Sequence, residues 1–271
     1  MAKLNNIDMF YFDTKTQGAT IVCLHGMYGR AETWAEFIEH YGKQYRIIAP
    51  DQRGHGLSSK PISKYTVEEM AEDIIELLDF LKIDSVILVG HSMGGGIAGY
   101  LAAVYPKYVK ALAILDKSAA GPDKRNMLPL NQISAVDPLT KDWPLPFQSL
   151  NEAMKFIKEA SSSSLEYQYF MNSLVETVEG YKMMFSSQAM AAYSTYYQSW
   201  FQLLPSIKCL VLLIIAKGNN AVSNEEFVKM QSLIPNCIAY EMSDEDHNIH
   251  LAKKEEFYKY FDEFLERRCL L

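Results

Sequence analysis

The pattern Gly90-x-Ser92-x-Gly94 lies where four consecutive aliphatic residues, Val86-Ile87-Leu88-Val89, give way to Ile97-Ala98-Gly99-Tyr100-Leu101-Ala102-Ala103. The first run reads as a fully buried strand and the second as a helix. A serine at so sharp a strand-to-helix turn is forced into a strained backbone conformation, and only glycine two residues to either side lets strand and helix approach. Its hydroxyl is then held at the carboxyl end of the strand, beside the positive end of the helix. Small residues in this spacing recur by chance in any long chain. At a junction between buried strand and helix they are a specific signal.

The rest of the chain repeats the strand-then-helix theme. Residues 9–12 and 19–24 read as strands, the second ending at His25-Gly26-Met27-Tyr28-Gly29, a small-residue loop whose backbone N–H groups could help to bind an oxyanion. A brief helix at 34–41 and a strand at 45–50 follow, then the tight polar turn Asp51-Gln52-Arg53-Gly54-His55-Gly56-Leu57-Ser58-Ser59. Thr66 and Glu69 form a capping box, after which Val67, Met70, Ala71, Ile74, Ile75, Leu78 and Leu81 recur at helical spacing. Strands are expected at 111–115, with Asp116 at the carboxyl end, at 209–216 and at 237–242. A capping box from Ser223 to Glu226 opens one late helix, and 255–267 forms another with Phe257, Phe261, Phe264 and Leu265 turned inward. Such alternation implies an α/β fold: a mostly parallel central sheet covered by helices on both faces, with ligands at the carboxyl ends of its strands.

The alternation stops over residues 117–206. A connection rich in proline (Pro122, Pro129, Pro138, Pro144, Pro146) leads to helical patterns without strands. We read residues 1–116 and 207–271 as the core and 117–206 as an inserted helical cap. Its last helix is expected to carry Tyr193, Tyr196, Tyr197, Trp200 and Phe201 as an aromatic stripe, and Met127, Met154, Met171, Met183, Met184 and Met190 also fall in this segment. These residues either glue cap to core or in part line an apolar pocket with adaptable walls. Ser161 to Ser164 reads as a cap turn.

Bulk properties exclude several functions. At 271 residues and 49% hydrophobic the chain can bury one large core, and a net charge of -7 disfavours nucleic acid or an anionic membrane as partner. The four cysteines show no C-x-x-C spacing, and three lie in apolar strand-like runs, the usage of a reduced protein. The first residues lack an apolar signal core and no stretch has the length of a membrane span, so the expected location is the cytoplasm.

A serine hydroxyl is a poor nucleophile at neutral pH and needs a general base and donors for the charge that develops on the attacked oxygen. Among the six histidines, His247 follows the last strand, at the same edge of the sheet as Ser92, and is assigned as the base. His91 is expected to point away across the turn. A metal site built from Asp244, Asp246, His247 and His250 is the rival reading of that loop, but no matching ligand helix is visible. Asp244 and Asp246 otherwise read as solvated loop charges.

Taken together, His25-Gly26, Asp51-Gln52-Arg53-Gly54-His55-Gly56-Leu57-Ser58, Gly90-His91-Ser92-Met93-Gly94-Gly95 and Asp246-His247-Asn248-Ile249-His250 resemble the α/β-hydrolase superfamily, in its capped branch of esterases, C–C hydrolases and cofactor-free haloperoxidases. The resemblance implies Ser92 as nucleophile, His247 as base, the backbone N–H groups of Met27 and Met93 as the oxyanion hole, and structural roles for Arg53 and His55. It also implies a small apolar substrate, no cofactor and a monomer or homodimer. The family's acid usually follows the strand before the last, where this chain has Asn219 in Ala216-Lys217-Gly218-Asn219-Asn220-Ala221-Val222. Asn lacks the charge that stabilises an imidazolium. Three readings follow: Asp116 serves as acid from another strand; Asn219 merely orients His247 in a weaker catalyst; or catalysis is lost, natively or by a substitution that traps a ligand. Lyase or cyclase chemistry on the same scaffold also stays open.

Overall fold

The computed structural model describes residues 1–218 and 221–268. Two short antiparallel strands, β1 (Ala2–Lys3) and β2 (Asp8–Met9), precede the main sheet. The single strand expected at 9–12 is therefore divided: Met9 pairs with Ala2, while β3 (Tyr11–Asp13) joins the large sheet. The sheet continues with β4 (Thr20–Leu24), β5 (Arg46–Pro50), β6 (Val86–His91) and β7 (Val109–Leu115). Helices α1 (Ala35–Tyr41), α2 (Val67–Phe80) and α3 (Met93–Val104) lie between these strands in the chain.

After β7 the chain leaves the sheet for α4 (Leu150–Ala160), α5 (Ser164–Met171), the antiparallel hairpin of β8 (Leu174–Thr177) and β9 (Gly180–Met183), and α6 (Ser187–Tyr196). It returns through β10 (Leu210–Ile215), α7 (Asn224–Leu233), β11 (Cys237–Glu241), α8 (Ile249–Ala252) and α9 (Lys254–Arg268). The seven-stranded order is β11-β10-β7-β6-β4-β5-β3, parallel throughout except for β3 against β5.

Alternate side chains of each buried strand enter opposite cores, the period-two rule of a sheet covered twice. On β6, Val86 and Leu88 join α2, α3 and α7 on one face, while Ile87 and Val89 join Phe37 of α1 and Phe257, Phe261 and Phe264 of α9 on the other. The four aliphatic residues of β6 thus have no polar face to offer. That is why their run lacks alternation.

Two expectations for the inserted segment need correction. It contains the β8–β9 hairpin, so it is not purely helical. The aromatic stripe also does not share one helix, because α6 ends at Tyr196 and a separate short 3₁₀ turn covers Phe201–Ser206. Tertiary bonds outcompete helix continuation here: the N–H of Ser199 donates to Pro122 O at 2.9 Å and that of Trp200 to Ala119 O at 3.0 Å. Among the described residues no helix is long and apolar enough to cross a membrane.

Candidate active site

Ser92 stands between β6 and α3 with φ 51° and ψ -118°, a left-handed backbone that costs a non-glycine residue about 1–3 kcal/mol. The flanking glycines are required by contact: a Cβ on Gly90 would lie 2.3 Å from Gly94 O, and one on Gly94 2.3 Å from Leu24 O. The turn is held from the neighbouring strand, with Ser92 N–H donating to Leu115 O at 2.9 Å. Met93 begins α3, so its N–H has no acceptor within the helix and faces outward with the positive end of the helix dipole.

His247 comes from the loop after β11, and its Nδ1 lies 2.7 Å from Oδ2 of Asp116. Asp116 is buried at the end of β7 with φ 46°, and its Oδ1 accepts the Ala216 N–H at 2.9 Å. With both carboxylate oxygens accepting, His247 carries its proton on Nδ1 and turns the lone pair of Nε2 outward. The carboxylate beside His247 is therefore Asp116, from a strand next to that of Ser92. Asn219 lies outside the described residues.

His91 does not point away from the site. Its Nε2 donates to the backbone O of His247 at 2.8 Å, which braces the loop that carries His247 against the serine turn. Burial, then the neighbouring His247 and His250, hold its pKa well below the ordinary histidine value, so it is neutral. His250 does not join a metal site: its ring stacks on Trp34 with centroids 4.5 Å apart. Asp246 is not merely solvated, since it accepts Ser163 Oγ at 2.6 Å and Asn248 N–H at 2.8 Å, tying the loop to the start of α5. No three His, Cys, Asp or Glu side chains among the described residues are grouped to hold a metal ion.

Across from Ser92, β4 ends in a tight turn closed by Gly29 N–H to Gly26 O at 3.2 Å, with Tyr28 at φ 67°. The inner N–H of such a turn, that of Met27, is not used in closing it. His25 supports the turn by donating from Nδ1 to Gly26 O at 2.8 Å and accepting the Gln52 N–H at Nε2, 3.0 Å. His25 and His55 meet edge to face with centroids 4.9 Å apart. Arg53 forms a two-pronged pair with buried Asp73, and Asp51 takes the N–H groups of Ala31 and Leu57 at 2.7 and 2.8 Å. These buried groups build the floor beneath the turn.

One cavity of about 730 Å³ contains Ser92, His91, His247, Gly26 and Met27 in its lining, together with Tyr28, Leu139, Tyr169 and Phe170. None of Tyr193, Tyr196, Tyr197, Trp200 and Phe201 lines it, nor do the six methionines of the inserted segment. Tyr193, Tyr196, Trp200, Met183 and Met190 are buried in packing instead, the Trp200 ring filling the space where a Cβ on Gly99 would lie at 2.6 Å, while Met127 and Met154 are exposed. The inserted segment reaches the cavity chiefly through α5 and the turn before it, with Ser162, Ser163, Glu166, Tyr169 and Phe170. Only the Ser163-x-x-Glu166 spacing marked this helix start in sequence, where Ser163 Oγ indeed accepts the Glu166 N–H at 3.1 Å.

Comparison with known proteins agrees with this geometry. A model of the alpha/beta hydrolase fold family matches residues 19–254. The (E)-2-((N-methylformamido)methylene)succinate hydrolase of Acinetobacter baylyi (strain ATCC 33305 / BD413 / ADP1) is 24% identical over 97% of this chain and 95% of its own length. Other curated relatives have higher identity but match over less than half their length, such as the soluble epoxide hydrolase of Corynebacterium sp. (strain C12), 37% identical over 42% of this chain and 40% of that protein. The crystal structure of an E-2-(acetamidomethylene)succinate hydrolase superposes with a TM-score of 0.79 at 21% identity, over 97% of this chain and 96% of that one. With its parallel sheet, its serine turn and a segment folded over the strand ends, the chain belongs to the alpha/beta hydrolase fold family, in the capped branch.

Proposed function

We propose that the protein is a serine hydrolase of a small ester, thioester, lactone or activated C–C bond. Ser92 Oγ attacks the carbonyl while His247 Nε2 takes its proton, and Asp116 holds the ring in the required tautomer and stabilises the imidazolium. The N–H groups of Met27 and Met93 receive the negative charge that develops on the carbonyl oxygen, where each such donor is worth about 3–4 kcal/mol. Collapse of the tetrahedral intermediate expels the leaving group, protonated by His247. Water activated by the same ring then releases the acyl group from Ser92. No cofactor is needed for these steps.

The observation that carries this reading is the 2.7 Å contact between Asp116 and His247, in a cavity that also contains the strained Ser92. It supports catalysis over the ligand-binding alternative, whose motive was Asn219 at the usual acid position. The test is hydrolysis of short p-nitrophenyl esters by the purified protein. Turnover that Ser92→Ala abolishes supports the reading. Absence of turnover, or turnover that survives Ser92→Ala, overturns it.

A further inference from the structure

The turn that contains Met27 is strained at Tyr28, whose φ of 67° is a backbone that a non-glycine residue keeps only where its surroundings hold it. Its hydroxyl, carbonyl and ring are all taken by the inserted segment. The hydroxyl donates to Asp137 Oδ1 at 3.1 Å, the carbonyl accepts from Ser173 Oγ at 2.5 Å, and the ring packs against Phe170 and Phe185 with centroids 5.6 and 5.0 Å away. Asp137 is itself buried, 1% exposed, and its other oxygen is fixed by the N–H and the Oγ of Thr140, each at 3.0 Å. Neighbouring contacts continue the grip: Arg30 Nε donates to Asn172 O at 2.6 Å, and the Tyr169 hydroxyl closes on the turn with a hydrogen bond to the Gly26 backbone.

What this grip fixes is the direction of the peptide dipoles at the turn. In a trans peptide the N–H points opposite to the C=O. Gly26 O is drawn to Gly29 N–H and to His25 Nδ1, at 3.2 and 2.8 Å, so the Met27 N–H of the same peptide faces away from both. The relief open to a left-handed residue at the place of Tyr28 is rotation of the peptide before it, which reverses the Met27 carbonyl beside that N–H. A donor serves an oxyanion only while such neighbouring dipoles keep their orientation. Leu139, between Asp137 and Thr140, lines the cavity, so the stretch that holds the turn also meets whatever fills the site.

We propose that Tyr28 and Asp137 are positioning residues for the reaction: by holding Tyr28, the inserted segment keeps the Met27 oxyanion donor aimed, beyond covering the site. This rests on the reading of Ser92 as nucleophile and Met27 N–H as donor. Tyr28→Phe keeps the ring and removes only the hydroxyl. With p-nitrophenyl esters its kcat is expected to fall about tenfold with KM within about twofold of wild type, because the misplaced donor acts in the transition state. A boronic acid, which becomes tetrahedral on Ser92, should lose affinity by the same factor as kcat/KM. A loss of stability alone moves neither. Asp137→Ala should match Tyr28→Phe, and the double variant should be no worse than the poorer single one, because the two side chains act as a unit. Backbone hydrogen exchange over residues 26–30, read by mass spectrometry, needs no turnover and should be about fivefold faster in Tyr28→Phe. An unchanged kcat, a loss confined to KM, or unchanged exchange overturns the proposal. Faster exchange in the variant, with no ester turned over by the wild type, supports the hold on the turn and removes the serine hydrolase reading alone.

Discussion

At the scale of single residues, the site turns on which side chain holds His247. Asp116 could be noticed in sequence only as an acid at a strand end, and Asn219 was conspicuous because a familiar position lacked its acid. What no sequence pattern contains is the distance between two loops: Asp116 and His247 are 131 positions apart and meet at 2.7 Å because β7 and β11 end at the same edge of the sheet. Asp116→Asn should lower kcat by about 10⁴-fold, since an amide cannot stabilise the imidazolium and favours the wrong tautomer. Asn219→Asp should leave kcat within a few-fold. Steady-state kinetics on any accepted ester checks both, and a large gain in Asn219→Asp would move the acid to that position. Adjacency to Ser92 along the turn does not send the His91 ring away from the site. The peptide oxygen of His247 instead provides an acceptor for a buried ring that would otherwise lack one.

Among elements, strands and helices with strong periodicity were legible and the inserted segment was not. The cap at Thr66, the capping box at Ser223 and the inward phenylalanines of α9 stand as expected, because each rests on contacts within a few residues or on one well-defined face, but the second half of the box at Thr66 does not form: Glu69 Oε2 accepts the Tyr65 N–H at 2.9 Å instead. The β8–β9 hairpin escaped notice because its two-residue turn, Val178-Glu179, has none of the Asn-Gly chemistry that marks such turns, and β8 is half exposed. Likewise α6 stops at Tyr196 because loop carbonyls claim the N–H groups of Ser199 and Trp200 just beyond it, a tertiary event with no local marker. Two predictions belong to elements. Gly94→Ala puts a methyl group against the backbone of β4, where nothing flexible can yield, so folded yield and thermal midpoint should fall sharply; retention of wild-type stability would contradict the close approach. Ser163→Ala removes both the cap of α5 and its bond to Asp246. We expect about 1 kcal/mol lost in chemical denaturation, with KM raised more than kcat is lowered.

For the molecule as a whole, the buried imidazoles set the acid limit of stability. Burial holds His25 at about 4, and His55 and His250 at about 3, against an ordinary value of 6.5. Each is neutral when folded, so the unfolded chain takes up protons first. Their contribution is complete above pH 6.5 and is lost as pH falls from there toward the folded values, at up to about 1.4 kcal/mol per pH unit for each ring. Urea midpoints should therefore be level from pH 8 to 7 and decline steadily between pH 6 and pH 4.5. A flat profile across that window would show that these rings are not held neutral by the fold.

The central claim is that Ser92 is the nucleophile of a working site, and a fluorophosphonate probe tests it most directly by intact mass and peptide mapping. The account predicts one adduct per chain, on Ser92, formed far more slowly in His247→Ala and absent in Ser92→Ala. An unmodified protein, or an adduct mapped to any other residue, would contradict it.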